Sequence, residues 1–175
     1  MEWNTANKLT MLRVILIPVY LVVWYLNLKY SALLALAVFV IASVTDFLDG
    51  YVARHYNQVT TFGKFMDPLA DKILVITAMI WFVSVGLLPV WALVIVVARE
   101  FAVTGLRLVA VDNGRVIAAG WSGKVKTAST MVCIVLMFLP IPDLVNTLCV
   151  AVIVVTTLWS GVEYFVKNRD CLRDM

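Results

Sequence analysis

Six runs of mostly apolar residues, each about twenty long, leave this chain few ways to fold. They cover approximately 9–28, 32–54, 63–85, 89–108, 123–139 and 144–165. A helix satisfies its own backbone hydrogen bonds, so apolar runs of this length can cross a bilayer as helices. With 63% hydrophobic residues, the chain is expected to be all-α: a polytopic membrane protein with six transmembrane helices. Residues 1–8, with Trp3 among polar neighbours, suit a short N-terminal segment lying in the membrane interface. Met1-Glu2-Trp3-Asn4 lacks the basic start of a cleavable leader, so none is expected. Residues 1–175 read as a single domain, without an internal repeat or a linker.

Charge placement orients the spans. Of 14 lysines and arginines, only Lys29 falls in the breaks after runs one, three and five. Cytoplasmic loops carry the excess of Lys and Arg, so both termini are expected in the cytoplasm. Cys133 and Cys149 lie in apolar runs and Cys171 in the polar tail, a pattern that suits packing rather than a disulfide framework. The single histidine, His55, argues against a multi-histidine metal site.

Acids are costly in such a chain, yet four aspartates occur in a short stretch. The sequence from Asp46 to Asp71 reduces to D-x-x-D-G-x-x-A-R-x8-G-x3-D-x3-D. On a helix, Asp46, Asp49, Gly50 and Ala53 share one face. Gly63, Asp67 and Asp71 share a face of the next helix. Counted from the outer ends of their runs, Asp46 lies ~21 Å and Asp71 ~26 Å along the helix. Both depths fall toward the cytoplasmic side. Four converging carboxylates repel one another unless cations intervene, and all-oxygen ligation suits Mg²⁺ or Mn²⁺, with two ions expected. Gly50, Ala53 and Gly63 remove bulk, which suits either close helix packing or the approach of a base or pyrophosphate. Arg54 offers a planar donor fork for phosphate.

At every fixed position this motif resembles the signature of the CDP-alcohol phosphotransferase family, and the six-run layout extends the resemblance over nearly the whole chain. The resemblance implies that Asp46, Asp49, Asp67 and Asp71 ligate divalent metal. It implies that Gly50, Ala53, Arg54 and Gly63 line the CDP site, that Asp71 is the general base, and that the enzyme is a homodimer.

The acceptor alcohol has to be read from other residues. Asn7-Lys8-Leu9-Thr10-Met11-Leu12-Arg13 looks like the N-x-L-T-x-x-R start of bacterial family members that make phosphatidylglycerol phosphate. Asn7 and Thr10 are therefore candidates for binding CDP-diacylglycerol, with helix capping as the competing role. Arg99 and Glu100 lie deep in the fourth run, where charge needs a polar cavity or a partner. Arg99, Arg107 and Lys124 are expected to form a second anion pocket, as an acceptor already carrying a phosphate requires. A structural Arg99–Glu100 network with snorkelling lysines is the alternative. Ala98-Arg99-Glu100-Phe101 and Gly123-Lys124-Val125-Lys126-Thr127 also resemble segments of those members.

The resulting expectation is a bacterial cytoplasmic-membrane enzyme that transfers the phosphatidyl group of CDP-diacylglycerol to sn-glycerol 3-phosphate. The lipid bilayer is its other partner, and nucleic acid is not expected. Inositol phosphate, serine or phosphatidylglycerol as acceptor stays open at this point. So does an ion-coupled transporter outside the family, although no inverted repeat is visible.

Overall fold

The computed structural model describes residues 5–26, 30–55, 61–112, 117–118 and 120–170. Among these residues there are six helices and no strand. The helices are α1 Thr5–Tyr25, α2 Ser31–His55, α3 Thr61–Ser84, α4 Val90–Asp112, α5 Trp121–Met137 and α6 Asp143–Lys167. Each apolar run thus became one helix, with ends shifted by a few residues.

Among the described residues, α6 is long and apolar enough to cross a membrane, and shorter apolar stretches cover Val14–Tyr25 and Ser31–Thr45. The others are interrupted by the polar residues of interest. α3 carries Lys64, Asp67, Asp71 and Lys72; α4 carries Arg99, Glu100 and Arg107; α5 has 17 residues and carries Lys124 and Lys126. Hydroxyls in the helices bond back to their own backbone: Ser43 to the Phe39 carbonyl, Thr77 to Ile73 and Thr104 to Glu100. Such bonds let Ser and Thr sit in apolar surroundings at little cost.

Two compact units divide the chain, Met1–Trp81 and Phe82–Met175. In the first, α1 packs against α2. Its core holds Ile17 and Tyr20 of α1 with Ala35, Phe39 and Ala42 of α2, and the small alanines suit close helix approach. Tyr20 meets Trp81 of α3 edge to face, ring centres 5.8 Å apart. Along α3, Ala70, Leu74, Ala78 and Trp81 are buried at helical spacing. Pro68 lies inside α3 without ending it, although it removes one ladder hydrogen bond.

In the second unit α6 packs against both α4 and α5. Order of contact gives direction. Arg99 bonds Ser160 and Arg107 bonds Tyr164, so α4 and α6 run parallel. Ser129 bonds Thr156 and Cys133 lies beside Cys149, so α5 runs antiparallel to α6. Cys133 and Cys149 are free thiols, buried side by side in the α5–α6 contact.

The end of α3 is closed by a glycine. Gly86 adopts φ +78°, its N–H bonds the Val83 carbonyl (3.2 Å), and the Leu87 N–H bonds the Phe82 carbonyl (2.9 Å). This is a Schellman cap, in which a left-handed residue turns the chain back onto its last carbonyls. The Asn146 amide at the start of α6 donates to the Leu87 carbonyl (2.8 Å), and the Phe82 and Phe138 rings pack 4.7 Å apart.

Candidate active site

The aspartate motif falls wholly within the first unit. Asp46, Asp49, Gly50, Ala53 and Arg54 lie on α2, and Gly63, Asp67 and Asp71 lie on α3. Helical backbone over both segments puts Asp46 and Asp49 on one face of α2, and Asp67 and Asp71 on one face of α3. Asp67 and Asp71 are half-buried and flank the buried stripe of Ala70, Leu74 and Ala78. For Asp46, Asp49, Gly50, Ala53, Arg54 and Gly63 the description stops at helix backbone, as it does for Asn7 and Thr10 on α1. The connection 56–60 lies outside the described residues.

The donor set limits what the motif can hold. Its four acids supply only carboxylate oxygens, with no imidazole or thiolate in the pattern. That set fits a hard divalent cation such as Mg²⁺ or Mn²⁺ and is a poor match for zinc. Among the described residues no group of three or more His, Cys, Asp or Glu side chains gathers; the Asp46 and Asp49 side chains lie outside the described ones.

A second polar site lies inside the α4–α5–α6 unit. Buried residues of α4 form one stripe, Ala92, Val96, Val103, Leu106 and Ala110, and Arg99 occupies the position between Val96 and Val103. Its side chain is only 13% exposed. Nη1 donates to Oε1 of Glu100 (3.1 Å), and Nη2 donates to the Ser160 hydroxyl of α6. Oε1 of Glu100 also accepts from Nζ of Lys126 on α5 (2.7 Å). The Lys126 side chain is 7% exposed. One carboxylate therefore joins two cations from two helices, and a hydroxyl of the third completes the set.

Glycines make room for this layer. A Cβ added to Gly161 would stand 3.3 Å from Cγ of Arg99, tighter than ordinary contact, and one added to Gly123 would stand 3.8 Å from Nη2. The arginine stem thus runs against a bare stretch of α6.

Sequence reasoning chose Arg99, Arg107 and Lys124 for the anion pocket. Arg99 is in the buried layer. Arg107 is exposed, its Nε bonded to the Tyr164 hydroxyl (2.9 Å) and its guanidinium 5.5 Å from that ring's centre. Lys124 is exposed, and Lys126 is the lysine that reaches Glu100. Helical spacing carried a signal for this choice. Lys126 shares the buried face of Ser122, Thr130, Cys133 and Met137, and Lys124 does not. Ser160 and Gly161 were also missed; a small polar–small pair deep in an apolar run is the signal they left.

Comparison with known proteins finds relatives over nearly the full length of the chain. A family model described as CDP-alcohol phosphatidyltransferase matches residues 3–159. A CDP-diacylglycerol–glycerol-3-phosphate 3-phosphatidyltransferase of Bacillus subtilis (strain 168) is 42% identical, over 98% of both chains. A probable phosphatidylglycerophosphate synthase of Mycobacterium tuberculosis (strain CDC 1551 / Oshkosh) is 40% identical, over 98% of this chain and 83% of its own. A CDP-diacylglycerol–glycerol-3-phosphate 3-phosphatidyltransferase of Shigella flexneri serotype 5b (strain 8401) is 38% identical, over 99% of this chain and 100% of its own.

Proposed function

The chain belongs to the CDP-alcohol phosphatidyltransferase family, and we propose that it transfers the phosphatidyl group of CDP-diacylglycerol to sn-glycerol 3-phosphate. The products are phosphatidylglycerol phosphate and CMP. The observation that carries this reading is full-length similarity near 40% to relatives named for that reaction. The complete aspartate motif supports the donor half of the reaction.

In this reading the six helices cross the cytoplasmic membrane of a bacterium, with both termini and the reacting groups on the cytoplasmic side. The exposed apolar residues of α4, among them Val94, Phe101 and Leu108, then face lipid. The donor keeps its acyl chains in the bilayer. Gly50, Ala53 and Gly63 give the CDP head access to backbone, Arg54 binds phosphate oxygen, and Asn7 and Thr10 approach from α1. Asp46, Asp49, Asp67 and Asp71 hold Mg²⁺ or Mn²⁺, two ions in this proposal, which supply positive charge against the pyrophosphate. Asp71 takes the proton of the acceptor hydroxyl as its oxygen attacks the phosphorus bearing diacylglycerol. The bond from that phosphorus to the bridging oxygen breaks, and CMP leaves with the electron pair. Arg99, with Lys126 beside it, binds the phosphate of the acceptor; Arg107 and Lys124 draw the anion toward the site from exposed positions. The working enzyme is a homodimer.

One assay tests the reading. Purified protein in mixed micelles with CDP-diacylglycerol and Mg²⁺ or Mn²⁺ is offered sn-glycerol 3-phosphate, inositol phosphate, serine or phosphatidylglycerol. CMP release and phosphatidylglycerol phosphate are expected with glycerol 3-phosphate alone. Turnover restricted to another acceptor overturns it.

A further inference from the structure

We propose that Glu100 is a positioning residue that aligns Arg99 and Lys126 as a two-cation receptor for the phosphate of the acceptor. The inference rests on the acceptor pocket placed at Arg99 under the proposed function.

Donor accounting supports it. Arg99 and Lys126 come from different helices, and Glu100 is the only carboxylate that both touch among the described residues. A guanidinium has five N–H groups and an ammonium three. The contacts to Glu100 and Ser160 use two from Arg99, and that to Glu100 uses one from Lys126. Nε of Arg99 is buried without a partner among the described residues. The buried hydroxyls of Thr130 and Thr157 are also unpartnered, one helical turn from Lys126 and Ser160. A buried polar atom without a partner is costly, so the unpartnered Nε of Arg99, beside the donors still free on both cations, points to an incoming oxygen-rich ligand. The free donors belong to cations, which selects an anion.

Glu100 also sets geometry. Its single oxygen Oε1 accepts from both cations, so it fixes their separation while offsetting only one of their two charges. Without it, the cations repel across the α4–α5 contact and the long lysine is released. Gly161 and Ser160 complete the alignment from α6 by leaving space for the Arg99 stem and anchoring Nη2.

Steady-state kinetics on the intact enzyme tests this with Glu100→Gln, Glu100→Asp, Gly161→Ala and Arg99→Ala. Glu100→Gln is expected to raise the KM for sn-glycerol 3-phosphate about tenfold or more and to leave the KM for CDP-diacylglycerol within about twofold, the scale of one lost charge-assisted hydrogen bond. Glu100→Asp keeps the charge and is expected to recover part of the loss. Gly161→Ala displaces Arg99 without changing any charge, so it reports the same acceptor-specific rise if Glu100→Gln does not fold. Inorganic phosphate is the ligand probe, and its inhibition against the acceptor should weaken in parallel. If Arg99→Ala raises the acceptor KM and neither Glu100→Gln nor Gly161→Ala does, the pocket stands and the role of Glu100 is overturned. If Arg99→Ala also leaves the acceptor KM unchanged, the pocket itself is rejected and this inference with it. Equal rises for both substrates in Glu100→Gln assign the residue to folding and overturn the proposal.

Discussion

The acids of α3 and the cations of α4 and α5 occupy helices of similar apolar character, but they are built in differently. Asp67 and Asp71 repeat along one helix, at the margin of its buried face, and belong to a motif of four aspartates with one arginine. Arg99 and Lys126 lie within the buried stripes of their own helices and are tied to Glu100 and Ser160. The first arrangement concentrates like charge and suits an external cation. The second is half neutralised from within and suits a ligand that takes up its remaining positive charge. Under the proposed function, the contrast separates charge placed for chemistry from charge placed for both packing and recognition.

The largest effect that could break this contrast comes from metal removal. Chelation by EDTA should abolish CMP release, and Mg²⁺ or Mn²⁺ should restore it; persistent turnover would remove metal from the aspartate site. Next, Asp71→Asn should lower turnover by roughly 10²–10⁴-fold, the usual worth of a general base, with donor binding retained. Wild-type-like turnover would end the base assignment. Third, stability should divide the regions. Glu100→Ala leaves two buried cations without their shared carboxylate and should cost about 3–5 kcal/mol, read as a fall in Tm. In metal-free protein, Asp49→Asn should not lower Tm, because it relieves repulsion among the acids. Equal losses in both variants would erase the distinction. A finer test compares the two lysines: Lys126→Ala should raise the acceptor KM more than Lys124→Ala. Smallest is Arg107→Ala, which removes a part-buried hydrogen bond and a ring contact with Tyr164, together worth about 1 kcal/mol and read as a small fall in Tm.

The same contrast explains what the sequence made legible. The aspartates announce themselves because helical periodicity is local: Asp67 and Asp71 are four positions apart and share a face wherever the helix goes. Six helices were legible for the same reason, since apolar length and the breaks at Gly86 and Pro140–Pro142 are local properties. Arg99 stood out through its depth in an apolar run. Glu100 stood out beside it as a candidate partner, and the two are in contact; Ser160 did not, because it is distant in sequence and meets Arg99 only through α4–α6 packing. Lys124 was the lysine expected in the pocket, and it is the phase of α5 that places Lys126 on the buried face instead. Gly161 carries no chemistry of its own, and its role as space for the Arg99 stem becomes visible only once α6 is beside α4.

The cap at Gly86 has a mechanical consequence for the second unit. The last turn of α3, the start of α6 and the Phe138 ring after α5 are cross-linked there by the Leu87 amide, the Asn146 side chain and the Phe82–Phe138 contact. At this end backbone groups take part in the cross-link, whereas toward the cationic end the helices are joined by side chains alone, Arg99 to Ser160, Arg107 to Tyr164 and Lys126 to Glu100. Opening there requires only side-chain bonds to break. Amide hydrogen exchange at Leu87 and Asn146 should accordingly be slow for residues at helix ends. The seam makes the unit a clasp, anchored in the backbone where nothing has to pass.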